Sequence, residues 1–122
     1  MFGPTAVATT FEPGHLSAAA GRAAYDAIVA AVSAARRGDI DAMATAPISK
    51  EAWHAAGIRH AGHTGLFAEK TRAKRSCMAF FSDELCCSLV TVHVGLHEVP
   101  SLLETGRILD VIELTEIGRA HV

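Results

Sequence analysis

The run Leu85-Cys86-Cys87-Ser88-Leu89-Val90-Thr91-Val92-His93-Val94 is nearly continuous in apolar side chains. A strand with one solvated face alternates in character, so a run without alternation reads as a strand covered on both faces. Just upstream stands a second apolar run, Cys77-Met78-Ala79-Phe80-Phe81, and only Ser82-Asp83-Glu84 separates the two. That spacing predicts an antiparallel hairpin.

Working outward from the hairpin, helical signals surround it. Ser17 reads as an N-cap. Tyr25, Ile28, Val29 and Val32 recur at helical spacing, and Arg36-Arg37-Gly38 supplies a cationic last turn and a stop. Residues 40–44 form a short apolar run that predicts a buried strand. Ser49 is expected to cap a short helix through Ala56, which Gly57 ends. Residues 58–62 read as a loop, and Thr64 as the cap of a helix to about Thr71. Beyond the hairpin, Thr105 is expected to cap a helix whose Ile108, Val111, Ile112 and Thr115 share a face. Residues 1–16 carry no clear period and read as a strand plus loop. Helices and strands alternate, so the fold class is α/β in layers.

The composition fits this. Of 122 residues, 50% are hydrophobic and 20% charged, which is globular rather than disordered. A net charge of -2 gives no electrostatic ground for nucleic acid or an anionic membrane as partner. No apolar run is long enough to span a bilayer, and the start lacks the pattern of a signal peptide. Cys77, Cys86 and Cys87 are odd in number and contain no C-x-x-C. They read as reduced core residues of a cytoplasmic protein.

Three segments could carry chemistry, because ligands of open α/β sheets gather where strands end and helices begin. Thr45-Ala46-Pro47-Ile48-Ser49-Lys50 leads into a helix, with a hydroxyl and an ammonium beside free backbone N–H groups. That suits an anion such as phosphate, and it equally suits an ordinary capped helix with a solvated lysine. Gly62-His63-Thr64-Gly65 allows close backbone approach, with His63 as donor to an oxyanion and Thr64 as cap or ligand contact. A glycine-rich turn with a surface histidine reads the same way. His93 ends an apolar strand, where an imidazole can ligate a divalent metal or serve structure alone. His97 follows at i+4, but no glutamate follows His93 and Gly95 intervenes, so the H-E-x-x-H pattern of zinc hydrolases is absent. His15, His54, His60 and His121 have no implicating spacing. Trp53 and Phe67 read as packing residues, and Lys70, Arg72, Lys74 and Arg75 as a solvated basic run. Neither G-x-G-x-x-G nor a Walker A loop occurs.

Taken in order, these segments resemble a known family. Ala18 to Tyr25, Thr45-Ala46-Pro47-Ile48-Ser49-Lys50-Glu51, Ala56-Gly57-Ile58 with Gly62-His63-Thr64, and Leu89 to Pro100 around His93 are similar to the central elements of the 4-hydroxythreonine-4-phosphate dehydrogenases. The resemblance implies a three-layer α/β/α fold of the isocitrate/isopropylmalate dehydrogenase type, here incomplete. It implies an NAD-dependent (or NADP-dependent) enzyme that oxidises, and decarboxylates, 4-hydroxythreonine 4-phosphate or a related hydroxy-acid phosphate, as in pyridoxal phosphate biosynthesis. A divalent metal such as Zn, Mg, Mn or Co would lie between the subunits of a homodimer. By resemblance, Lys50, His63 and Thr64 contact a phosphorylated substrate. His93 is one of three metal histidines, the other two belonging to later parts of the family sequence. Gly65 stands where the family has glutamate, which leaves the substrate open. On the same comparison, residues 1–116 are expected to be a partial α/β dehydrogenase domain. Residues 117–122 are expected to be a non-native tail, since they match what a common sequencing adapter encodes in frame. The alternative from another class is a non-catalytic phosphometabolite-binding domain.

Overall fold

The structure, a computed structural model, describes residues 12–119. The strand expected near the start therefore lies largely outside the described residues. The chain divides into two compact units, residues 1–73 and 74–122.

The first unit is helical. Helix α1, Ala18–Arg37, begins where Ser17 Oγ accepts from Ala20 N at 3.2 Å. It ends where Gly38 turns left-handed at φ 80°, a conformation that costs glycine nothing and that a Cβ penalises. Helix α2, Lys50–Ala55, is capped by Ser49, whose Oγ accepts from Ala52 N at 3.1 Å. Helix α3 is His63–Thr71. The core is a cluster of Ile28, Val32, Trp53, Ile58 and Leu66, with Tyr25, Met43, Ile48 and Phe67 packed against it. The apolar stripe of α1 thus meets α2 and α3.

Two expectations for this unit need correction. Residues 40–44 form no strand; they run without regular structure, and only Ile40 and Met43 are even partly buried. A strand needs a neighbour to pair with, and among the described residues the sheet contains β1 and β2 alone. Thr64 does not cap α3. Gly62 takes the cap position and Leu66 N donates to Gly62 O at 3.4 Å, so the helix starts before Thr64 and carries it in its first turn.

The second unit holds the hairpin. Strand β1, Met78–Phe81, pairs antiparallel with β2, Cys86–Leu89, in the register Met78↔Leu89 to Phe81↔Cys86. Ser82 closes the connection: its N donates to Leu85 O at 2.9 Å, and its Oγ accepts from Leu85 N at 3.1 Å. A 3-10 turn, Leu96–Glu98, leads into α4, Val99–Leu102, and then α5, Thr105–Arg119.

Here too the structure departs from the sequence reading. The strand stops at Leu89 rather than near Val94, and Leu85, Cys86 and Cys87 are exposed. Among the described residues nothing covers both faces of a two-stranded ribbon, so neither the doubly covered strand nor the core cysteines hold. All three cysteines are free, with Cys77 half-buried. Thr105 lies inside α5, where Ile108 N donates to Glu104 O at 3.0 Å. Of the expected apolar face, Val111 is buried and Thr115 half-buried, but Ile108 and Ile112 are exposed. Arg75 is exposed, as the basic run predicts, and is also paired: its guanidinium binds Asp110 at 2.7 Å and Glu113 at 2.5 Å, and these carboxylates push it further above its ordinary range.

One polar contact ties α5 to the ribbon. Thr115 Oγ1 lies 2.6 Å from both Ser88 Oγ and Val111 O. Its single proton serves one of them, and the Ser88 hydroxyl completes the pair. Thr115→Val should strand the Ser88 hydroxyl and cost about 1–2 kcal/mol. Urea unfolding followed by circular dichroism checks this. An unchanged midpoint would mean that water replaces the contact at no cost.

Candidate functional site

The residues singled out from the sequence fall into two groups, one in each unit. Lys50, His63 and Thr64 belong to the first unit and His93 to the second.

In the first unit, Ser49 fixes the start of α2 and so sets where Lys50 leaves the backbone. The Lys50 side chain reaches the start of α3: its Cε lies 3.8 Å from where a Cβ on Gly62 would stand. The exposed Thr64 hydroxyl is in the first turn of α3, whose leading N–H groups have no partner within the helix. A cation, a hydroxyl and free amide donors are thus gathered at one helix end, which is what an oxyanion needs.

His63 stands beside them, half-buried, with its ring 6.0 Å from Trp53 and 5.7 Å from Phe67. Its Nε2 is enclosed and has no hydrogen-bond partner among the described residues. Trp53, read as packing, is fully buried at 0% exposure, and Phe67 packs on the same core.

Sequence spacing gave His54 and His60 no role. The structure places both, with Lys50, Ile58 and Arg59, along a groove of about 530 Å³ beside α2. His60 stacks on Tyr25 at 6.3 Å and approaches Glu69 at 3.4 Å. A hydrogen bond from Lys70 holds the Glu69 carboxyl below its ordinary range. Proximity in the groove is set by the loop between α2 and α3, which no sequence period announces.

In the second unit His93 is exposed and its backbone is left-handed at φ 57°. Few non-glycine residues adopt that region, histidine among the more frequent, and it clusters at sites where side-chain direction matters. The bend places the imidazole after the end of β2. Gly95 follows, with its N donating to Glu98 Oε2 at 2.8 Å. A Cβ at Gly95 would stand 2.9 Å from the ring of the exposed His97, which would have to turn aside to admit it. Among the described residues no three His, Cys, Asp or Glu side chains are placed to hold one metal ion. His93 offers one ligand, and a single imidazole does not hold a divalent ion against water.

No helix among the described residues is long and apolar enough to cross a membrane.

Comparison with known proteins gives the family. The chain is 47% identical over 114 residues to a 4-hydroxythreonine-4-phosphate dehydrogenase of Beijerinckia indica, covering 93% of this chain and 34% of the relative. It is 37% identical over 113 residues to a D-threonate 4-phosphate dehydrogenase of Salmonella typhimurium, covering 93% and 35%. The crystal structure of a 4-hydroxythreonine-4-phosphate dehydrogenase from Klebsiella pneumoniae matches with a TM-score of 0.83 at 35% identity, over 87% of this chain and 32% of that one. The chain therefore spans about a third of the length of the curated relatives it matches. The family model described as pyridoxal phosphate biosynthetic protein PdxA matches residues 3–120. The chain belongs to the PdxA family.

Proposed function

We propose that this chain carries the substrate-anion contacts and one metal ligand of an NAD- or NADP-dependent dehydrogenase acting on a hydroxy-acid phosphate. The observation that carries the reading is the approach of Lys50 to the Gly62-His63-Thr64 helix start, where the charge and donors suit a phosphate or carboxylate. Lys50 supplies charge, the Thr64 hydroxyl and the N–H groups of the first turn supply directed donors, and His63 supplies a further imidazole contact. The complete enzyme would have the three-layer α/β/α architecture of the isocitrate dehydrogenase type, work as a homodimer and reside in the cytoplasm. His93 contributes one imidazole to its divalent metal. When bound, such a metal lowers the pKa of the substrate hydroxyl and polarises the ketone that oxidation produces.

Relatives named for 4-hydroxythreonine 4-phosphate and for D-threonate 4-phosphate match the chain comparably. Both are phosphorylated hydroxy acids, and Gly65 places no side chain at the helix start to choose between them. NADH formation by the complete gene product, with a divalent metal and each substrate in turn, tests the reading. No turnover with either would favour a phosphometabolite-binding domain without catalysis.

The anion contact has its own test. Lys50→Met should weaken binding of the substrate phosphate by about 5–10-fold at low salt, the range of a solvent-exposed charge-assisted contact, and by less at high salt. Calorimetric titration at both salt concentrations reads this. An affinity independent of Lys50 would remove it from the site.

A further inference from the structure

The groove beside α2 offers more room, and a different lining, than a lone phosphate contact requires. Its volume of about 530 Å³ falls within the range of about 300–1,000 Å³ that organic ligands occupy. Much of the wall is apolar, made by the buried Ile58 with Ala55, Ala61 and Leu16. Two permanent cations, Lys50 and Arg59, stand in the lining against one carboxylate, Glu51. Arg22, Arg37 and Lys70 in the same unit each have a carboxylate partner. Lys50 and Arg59 make no ion pair among the described residues. His60 adds a flat, half-buried ring to the wall, held by its stack on Tyr25 and its approach to Glu69.

We propose that this groove is a second small-molecule site, which takes a phosphate monoester with an aromatic or aliphatic body. The body lies against Ile58, Ala55 and the His60 ring, where it leaves water. The phosphate meets Arg59 and Lys50. A planar guanidinium can grip two phosphate oxygens at once, and the ammonium adds a point charge. Two unpaired cations match the charge of a phosphate monoester, close to -2 near neutral pH, better than the single charge of a carboxylate. Arg59 belongs to the groove alone, whereas Lys50 also reaches Gly62 at the start of α3. The groove is therefore a neighbour of the substrate-anion contact and extends past it along α2. It does not depend on the dehydrogenase reading, because none of its contacts requires His63, Thr64 or a metal.

Phenyl phosphate, inorganic phosphate and benzoate are the probes, each titrated into the 15N-labelled chain and followed by 1H–15N spectra. Phenyl phosphate is expected to move the signals of residues 54–61 and to bind about tenfold more tightly than inorganic phosphate, from the apolar area it buries. Benzoate, with the same ring and half the charge, should bind more weakly than phenyl phosphate. Arg59→Met should weaken phenyl phosphate by about 5–10-fold, the effect of losing one charge-assisted contact. Arg59 is exposed, so this variant should keep the fold. Thr64→Val should leave phenyl phosphate unchanged.

Equal affinity for phenyl and inorganic phosphate overturns the proposal, since the apolar wall then contributes nothing. So does an Arg59→Met chain that binds phenyl phosphate as the wild type does, or a set of shifts that avoids residues 54–61. Self-association that closes the groove, seen as phenyl phosphate binding only on dilution to the monomer, replaces the small ligand with a second copy and overturns it too. The substrate-anion reading fails separately. Inorganic phosphate that ignores both Lys50→Met and Thr64→Val removes that contact and leaves the Arg59 result standing.

Discussion

Trp53→Ala is expected to cost the first unit about 3–5 kcal/mol, the usual range for deleting a buried tryptophan side chain. The residue is wholly enclosed, meets Tyr25 edge-on at 5.9 Å and sits in a cluster of five buried side chains among the described residues. Small cores leave little margin, since a short chain buries a smaller share of its surface. A loss of this size should abolish the folded unit or bring its urea midpoint close to zero. Trp53 is the only tryptophan, so fluorescence vanishes with the substitution and far-ultraviolet circular dichroism must follow the transition. Trp53→Phe should lose far less, because most of the buried ring remains. A Trp53→Ala midpoint near that of the wild type would show that the cluster is not the core of the unit.

That core was legible in part. Helix α1 could be bounded from sequence because its signals are local: Ser17 at one end, Gly38 at the other and an apolar stripe between them. The hairpin was legible for the same reason, its two runs being separated by three turn-forming residues. What failed was whatever depends on distant partners. Residues 40–44 have strand character, but a strand exists only where another lies alongside. The apolar run of β2 implies cover on both faces, and cover comes from other parts of a fold, so Cys86 and Cys87 were misjudged together with it. Thr64 is a good cap by type, yet Gly62 opens the helix earlier without using a side chain.

The site shows the same division. Lys50, His63 and Thr64 were singled out through short motifs, and the Lys50 side chain approaches Gly62, just before the helix that carries the other two. His93 was singled out as a strand-end histidine, but β2 stops at Leu89, and the left-handed backbone at His93 could not be foreseen from an apolar context. Trp53 was read as packing, which it is. Its second character, an indole N–H without a partner beside His63, belongs to three-dimensional placement alone.

Gly21→Ala offers a test in which local propensity and packing predict opposite signs. Within a helix, alanine is preferred to glycine by up to about 1 kcal/mol, so propensity alone predicts a gain. Gly21 is buried in α1, where the chain crosses α2. A Cβ there would stand 2.3 Å from the carbonyl oxygen of Ala52 and 2.5 Å from its carbonyl carbon. These are backbone atoms, which cannot rotate aside, so α1 and α2 would have to separate. The expected result is a net loss of about 1–3 kcal/mol, the ordinary cost of forcing an extra carbon into a packed contact. Gly21→Val should lose more. Gly65→Ala is the natural control: Gly65 lies in α3 with open space around it, so the same change there should be neutral or mildly stabilising. Thermal unfolding of both variants decides between the two accounts. The effect should also reach the anion site, because α2 carries Lys50 at its first position and Trp53 in its middle. Moving α2 away from α1 shifts Lys50 relative to Gly62 and Trp53 relative to His63, so Gly21→Ala should weaken phosphate binding although residue 21 supplies no side chain to it. A Gly21→Ala chain as stable as the wild type, with unchanged affinity, would mean that the two helices are not held as closely as the structure places them.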